Sequence, residues 1–190
     1  MDNKKRCKWC NLKNPKYIEY HDNEWCKINF EDKYLYEMLI LESFQAGLSW
    51  ECVLNKRESF RKAYDNFNLE KVCSYDSKKI NELLNNKEII RNKLKINASI
   101  NNSKIFKQIV NEYGTFYNYL KTFTHDKILY ETDKTTNYLS DNISSDLQKR
   151  GMKFVGSTII YSYLQAIGII YSHDKECYLY AKRDEELWLK

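Results

Sequence analysis

At 190 residues the chain is long enough for one well-buried core, or at most two small lobes that share one. One proline and five glycines against 15% aromatic residues speak against an all-β fold, which needs more turn residues, and for an all-α one. The formal net charge of +5 suits a nucleic-acid surface without demanding it, and the polar start MDNKKRCKW and the lack of any bilayer-length apolar run give no sign of a signal peptide or membrane helix.

A cytoplasmic, reducing setting is therefore expected, where six cysteines read as metal ligands or buried thiols before disulfides. Residues 1–30 have little periodicity but hold Cys7, Trp9, Cys10, Tyr17, Tyr20, His21, Glu24 and Trp25. So many aromatic and ligand-type side chains without a helical pattern suit a site lining held by a metal. From Glu31 to Ala46 the pattern turns helical, with Leu35, Met38 and Leu39 on one stripe and Glu42 at its next position. A carboxylate on an apolar face is costly unless paired or used. Tyr36, Ile40, Leu41 and Phe44 make this helix apolar nearly all round, so a Glu42 that simply emerges at its end stays open.

Gly47 closes that helix, and Ser49 caps the next, expected from Trp50 to about Phe67. Further helices are predicted over Ser77–Asn85, from Leu94 to Tyr113 with Gly114 ending it, and over Thr115–Thr124. Residues 125–144 are polar and poor in pattern, which predicts a surface loop resembling a variable insertion more than a site, and Ser145–Arg150 leads out of it. Gly151 and Gly156 then bracket a tight turn before an apolar helical run from Ile159 to Ile170, with Ser157 or Thr158 as cap. Free amides at such a helix start attract a phosphate, although a plain helix–turn–helix corner has the same pattern. No repeat or linker divides the chain, and residues 181–190 read as a loosely packed tail.

His173 and Cys177, four residues apart, can face one ion from a helical turn. Cys7 and His21 complete a Cys2His2 set that would clamp the two ends of the chain. The Cys7-x2-Cys10 pair with His173 and Cys177 is the competing set, and by spacing it matches known zinc patterns better.

The segments YIEYHDNEW (17–25), LESFQAGLSW (41–50), IIRNKLKI (89–96) and KRGMKFVGSTIIYSYLQAIG (149–168) closely resemble the bacterial DNA-3-methyladenine glycosylase I family, within the helix–hairpin–helix glycosylase superfamily. The resemblance runs from about Arg6 to Tyr180 and implies one glycosylase domain of two helical lobes with a lesion pocket between them. It also implies a structural zinc held by Cys7, His21, His173 and Cys177, which favours His21 over Cys10. Glu42 and Tyr20 are the implied base-recognition residues, with Trp50 as stacking wall, Trp9 and Tyr17 completing the lining, and Glu42 the best catalytic candidate. Arg150, Gly151, Lys153, Gly156, Ser157 and Thr158 match the hairpin that grips the DNA backbone. The implied partners are double-stranded DNA carrying alkylated bases and free 3-methyladenine as product, with the protein expected as a nucleoid-associated monomer. Bifunctional relatives place a lysine where this chain has Ser157-Thr158, so no strand-cleaving activity is expected. Asp174 stands near the site, but the resemblance gives it no role. One departure is Cys26, where the family pattern HDNEWG has glycine. The rival readings are a non-enzymatic helix–hairpin–helix module and a same-fold glycosylase with another lesion preference.

Overall fold

The computed structural model describes residues 4–180, so the tail at 181–190 lies outside the described residues. The described chain is mostly helical, with ten helices and a two-stranded pair. Helix α1 (Pro15–Asn23) starts where the Asn14 side chain accepts the Lys16 amide and Pro15 pre-sets the first turn. It was not visible as a period because its buried Tyr17, Tyr20 and His21 are polar-tipped residues.

Helix α2 (Asp32–Gln45) is the central rod. Every residue from Leu35 to Phe44 is buried, because α3 (Trp50–Asn55), α7 (Lys93–Tyr113), α8 (Phe116–Thr124) and α10 (Ser157–Ala166) surround it. A helix covered on all sides has no polar face, so the stripe read in the sequence is only part of its buried surface. Two of its carboxylates are buried, and they differ in circumstance. Glu37 receives Arg57 at 2.5 Å and Arg61 at 2.7 Å, and Arg57 also reaches Glu24 at 2.6 Å. Glu42 has no such partner.

The helix expected from Trp50 to Phe67 is broken. Helix α3 ends at Asn55 and α4 (Arg57–Ala63) restarts after Lys56, whose φ of −99° and ψ of 0° tilt the axis so that Arg57 points at Glu37. A short turn at 65–67 follows with all three residues at positive φ, and then α5 (Leu69–Cys73), capped by Asn68. Helix α6 (Ser77–Asn85) and the long α7 lie where the pattern places them, with Asp76 and Asn92 as caps, and Gly114 ends α7 at a φ of +84°.

The loop expected over 125–144 is largely structured. Strand β1 (Leu129–Tyr130) pairs in parallel with β2 (Ile170–Tyr171), and α9 (Tyr138–Lys149) begins at a capping box between Asn137 and Ser140. Helix α9 packs closely on α10. The residues expected to cap α10, Ser157 and Thr158, lie inside it, and Gly156 is the cap. The apolar run continues to Ile170, but the helix stops at Ala166 because Gly168 turns the chain at a φ of +83°.

Gly168 is the tightest point of the fold. A Cβ there would stand 2.2 Å from the Ile28 nitrogen and 2.3 Å from the Lys27 carbonyl carbon. Around it, the Cys26 and Asn29 amides donate to the Gln165 and Ile167 carbonyls at 3.0 and 3.2 Å, fastening the N-terminal segment to the end of α10. Gly168→Ala combines a disfavoured φ with a backbone clash and should lower stability by about 3 kcal/mol or more. Thermal melting checks this, and a melting temperature equal to that of the unaltered protein would mean that the two segments do not touch.

Candidate functional site

Helix α1 brings Tyr17 and Tyr20, α2 brings Glu42 and Gln45, and α3 opens with Trp50, capped by Ser49. With Trp9, Trp25 and the α10 side chains Ser162 and Gln165 they enclose a cavity of about 270 Å3. That is near the small end of ligand clefts. Its walls are π-surfaces: Trp9 lies 5.1 Å from Tyr17 and 4.6 Å edge-on to Trp25, and Tyr20 lies 5.3 Å from Trp50, between ring centroids.

Four of the residues that line it carry a polar atom that finds nothing to bond. Glu42 Oε2, Gln45 Oε1 and the indole nitrogens of Trp9 and Trp50 are buried without a hydrogen-bond partner in the protein. One such group costs about 1 to 3 kcal/mol, and four around one cavity mark a place built for a ligand that supplies both donors and acceptors. Burial pushes the Glu42 carboxyl well above the usual carboxylate range. The helix end that carries it is fixed by Lys95 on α7, itself buried, whose ammonium donates to the Phe44 and Ala46 carbonyls at 2.8 and 2.6 Å. These carbonyls are orphans of the helix C-terminus, and a cation there also suits its dipole.

Behind the aromatic wall sits a second cluster. Cys7, His21, His173 and Cys177 are all buried, and one ligand atom from each lies within 4.8 Å of the others. Cys7 Sγ stands 3.4 Å from His173 Nδ1, and Cys177 Sγ stands 3.5 and 3.6 Å from His21 Nε2 and His173 Nδ1. Bonds of about 2.0 to 2.3 Å to a tetrahedral ion put its ligand atoms roughly 3.3 to 3.8 Å apart, so the spacing fits. The shared hydrogen bond raises the Cys7 thiol and lowers that of Cys177. A bound cation would hold both sulfurs as thiolates. The outer groups are in place too: Asp22 Oδ1 holds His21 Nδ1 at 2.8 Å and is gripped in turn by Arg6, while the Asp174 amide donates to Cys7 Sγ. Cys10 is not part of the cluster. Its buried thiol faces the Tyr17 carbonyl at 3.8 Å, and burial raises it to about 11.

The cluster and the cavity share walls. Trp25 packs edge-on against His173 at 4.8 Å, and Trp9 lies 5.3 Å from His21. Cys26, next to Trp25, adopts a φ of +62°, the region that favours glycine, and its buried sulfur accepts the Ser172 amide at 3.2 Å.

The turn from α9 to α10 is braced from below. Asn102 both donates to the Lys153 carbonyl and accepts its amide, at 2.8 and 2.9 Å, Asn101 holds the Gly151 carbonyl, and Met152 and Val155 are buried. The Gly151 and Met152 amides return to α9. Of the six hairpin residues read from the sequence, three present groups outward: the Gly156, Ser157 and Thr158 amides have no hydrogen bond among the described residues, and Thr158 is exposed. Lys153 is exposed, but its amide is spent on Asn102. Arg150 is committed to Glu112 at 2.6 Å and Asp146 at 2.7 Å, and the Ser157 hydroxyl to Ser140 and Asp141.

Several lining residues escaped the sequence reading. Gln45 is one turn beyond Glu42, and Ser162 and Gln165 are polar at i and i+3 on an otherwise apolar helix, a signal that could have found them. Asp133 and Lys134 border the cavity from the stretch expected to be an uninvolved loop, and Asp174 borders it while accepting the Lys8 amide at 2.7 Å.

Because its folded pKa is raised, Glu42 favours the folded state only below its unfolded pKa and opposes it as pH rises toward the folded value. Glu42→Gln should therefore melt higher than the unaltered protein at pH 8, with the gap narrowing toward pH 4. A gap that fails to change with pH would show that this carboxyl is solvated.

The model of the methyladenine glycosylase family matches residues 9–180. The chain is 39% identical over 182 residues to DNA-3-methyladenine glycosylase 1 of Escherichia coli (strain K12), covering 92% of this chain and 96% of that protein. A crystal structure of 3-methyladenine DNA glycosylase I superposes with a TM-score of 0.87 at 35% identity, over 92% of this chain and 98% of that one. A structure of the Staphylococcus aureus 3-methyladenine DNA glycosylase I, concerned with its recognition of 3-methyladenine, gives 0.84 at 31% identity, over 88% and 92%. The chain belongs to the methyladenine glycosylase family.

Proposed function

We propose that this chain is a base-excision repair glycosylase that takes 3-methyladenine out of alkylated DNA by hydrolysis and leaves an abasic site. The carrying observation is the aromatic cavity lined by Glu42, Gln45, Trp9 and Trp50, each with a buried polar atom left unpaired. A flat base with its own donors and acceptors, extruded from the duplex, answers all of these at once. Family membership and the substrate named for the E. coli and S. aureus proteins point the same way.

Methylation at N3 makes the adenine of the nucleotide cationic. The electron-poor ring is drawn between the faces of Trp50, Tyr20, Trp9 and Tyr17 by stacking and cation–π attraction. Its charge also lowers the pKa of the Glu42 carboxyl, so a group that is neutral in the apolar interior becomes the counter-ion of the damaged base. An undamaged purine brings no charge and leaves the carboxyl protonated, so the same residue discriminates. When the glycosidic bond breaks, its electron pair stays with the base, which departs neutral and needs no acid. Water adds at C1′ and releases a proton, and Glu42 stabilises the positive charge passing through the sugar. Ser157 and Thr158 offer no amine at the hairpin, so the product is an intact abasic strand.

The remaining assignments belong to the same reading. The 190-residue chain is one glycosylase domain, residues 6–180 of it covered by the resemblance, with two helical lobes and the cavity between them, acting as a monomer in the cytoplasm at the nucleoid. The α9–α10 turn is a helix–hairpin–helix that holds a backbone phosphate on the amides of Gly156, Ser157 and Thr158, beside Gly151 and Lys153. Arg150 supports this turn through its carboxylate partners. Zinc is the ion that suits Cys7, His21, His173 and Cys177, where it would staple the chain's two ends and back the aromatic wall, with no position open for chemistry. A non-enzymatic DNA-binding module has no use for this cavity.

Base release from alkylated duplex DNA tests the function, with 3-methyladenine, 7-methylguanine and hypoxanthine scored separately. 3-Methyladenine should dominate, and Glu42→Gln should slow its release on the order of a hundredfold while affinity for undamaged duplex stays near that of the unaltered protein. Unchanged release would remove Glu42 from the mechanism. Elemental analysis of purified protein should find about one zinc per chain, lost in Cys7→Ser and His173→Ala and kept in Cys10→Ser. Loss in Cys10→Ser with retention in His21→Ala would overturn the ligand set.

A further inference from the structure

The cavity and the hairpin share helix α10. Ser162 and Gln165 line the cavity, and the outward-facing amides lie at the start of the same helix. At about 1.5 Å per residue these side chains stand roughly 8 and 12 Å from Ser157 along the axis. A strand with its extruded base in the cavity and its neighbouring phosphate at the α10 start has to cross that span.

Residues 133–138 run beside the same path. Asp133 and Lys134 border the cavity at one end. At the other, Asn137 and Tyr138 open α9, whose Ser140 hydroxyl touches that of Ser157 at 2.9 Å, so the first turns of α9 and α10 abut. Lys134 and Tyr138 also border a wider cleft of about 610 Å3 between α8 and α9. Tyr138 is 82% exposed, the most exposed large hydrophobic side chain among the described residues. The Lys134 side chain is about half exposed, and among the described residues its ammonium is held by Glu131 alone, at 2.7 Å. Only the Lys134 end of this pair is exposed, and when its ammonium turns to a phosphate Glu131 keeps its bond from Asn137.

We propose that residues 133–138 form a second contact with the lesion-bearing strand: Lys134 meets a backbone phosphate beside the cavity mouth, and Tyr138 offers its ring to the exposed sugar or unstacked base next to it. The proposal rests on the glycosylase reading and adds to it a surface that the hairpin does not provide. An aromatic face binds any base by stacking, and a lysine binds any phosphate as a point charge, so the contact holds the opened strand without reading its sequence.

Binding of duplexes with a tetrahydrofuran abasic analogue tests this, over a range of salt concentrations. Tyr138→Ala should weaken that binding roughly tenfold, with Tyr138→Phe near the unaltered protein. Lys134→Ala should reduce the salt slope by about one. Affinity for free 3-methyladenine and the melting temperature should stay unchanged in both Tyr138 variants, because Tyr138 is exposed and does not line the cavity. If the unaltered protein excises 3-methyladenine but Tyr138→Ala and Lys134→Ala bind the abasic duplex as it does, with the same slope, the second contact is overturned and the glycosylase reading stands. If the unaltered protein neither excises the base nor prefers the abasic duplex, the glycosylase reading fails and the second contact with it.

Discussion

An ionisable side chain kept without a partner in an apolar interior is the constraint around which this molecule is arranged. Glu42 is buried on a helix that has neighbours on every side. A group in that position destabilises the fold, so the rest must hold it firmly enough that it cannot swing out to water. Lys95 closes the helix end just beyond it, and Glu37, five residues earlier, is tied by Arg57 and Arg61. The contrast between the two buried carboxylates is instructive. Glu37 is satisfied and structural, whereas Glu42 is unsatisfied and aimed at a cavity.

The aromatic wall depends on a different support. Residues 4–14 contain no helix or strand, yet they deliver Trp9 to a defined place. Cys7 anchors them against His21, His173 and Cys177, Lys8 hands its amide to Asp174, and Arg6 grips Asp22. A segment of this kind has little burial of its own with which to offset its ordering entropy, which is why four metal-type ligands appear where the two ends of the chain meet.

Much of this was legible in the sequence, for identifiable reasons. Helices α2, α6, α7 and α8 were readable because their apolar spacing, caps and terminal glycines agree with one another. Helix α9 was hidden by its composition: Ser, Asp and Asn are turn formers in isolation, and here they make a capping box and a bond from Ser144 to the Val155 carbonyl in the turn that follows. The end of α10 could not be placed by hydrophobicity, since the apolar run continues into β2 and only the close approach at Gly168 stops the helix. Glu42 could be named because a carboxylate interrupts an apolar stripe, whereas the roles of Tyr20 and Trp50 came from the family resemblance. Asp133 and Lys134 could not, because a polar residue in a polar stretch carries no local sign of what it borders.

Cys26 holds a conformation that glycine suits best. Its backbone takes the left-handed turn that the family pattern assigns to glycine, at a strain of about 1 kcal/mol. A side chain at this position also narrows the range of shapes open to the denatured chain, which a glycine leaves wide. The buried sulfur receives the Ser172 amide in addition. The bend between the aromatic wall and β2 is thus secured partly by what the disordered polypeptide is no longer free to do, a contribution that no inventory of native contacts records.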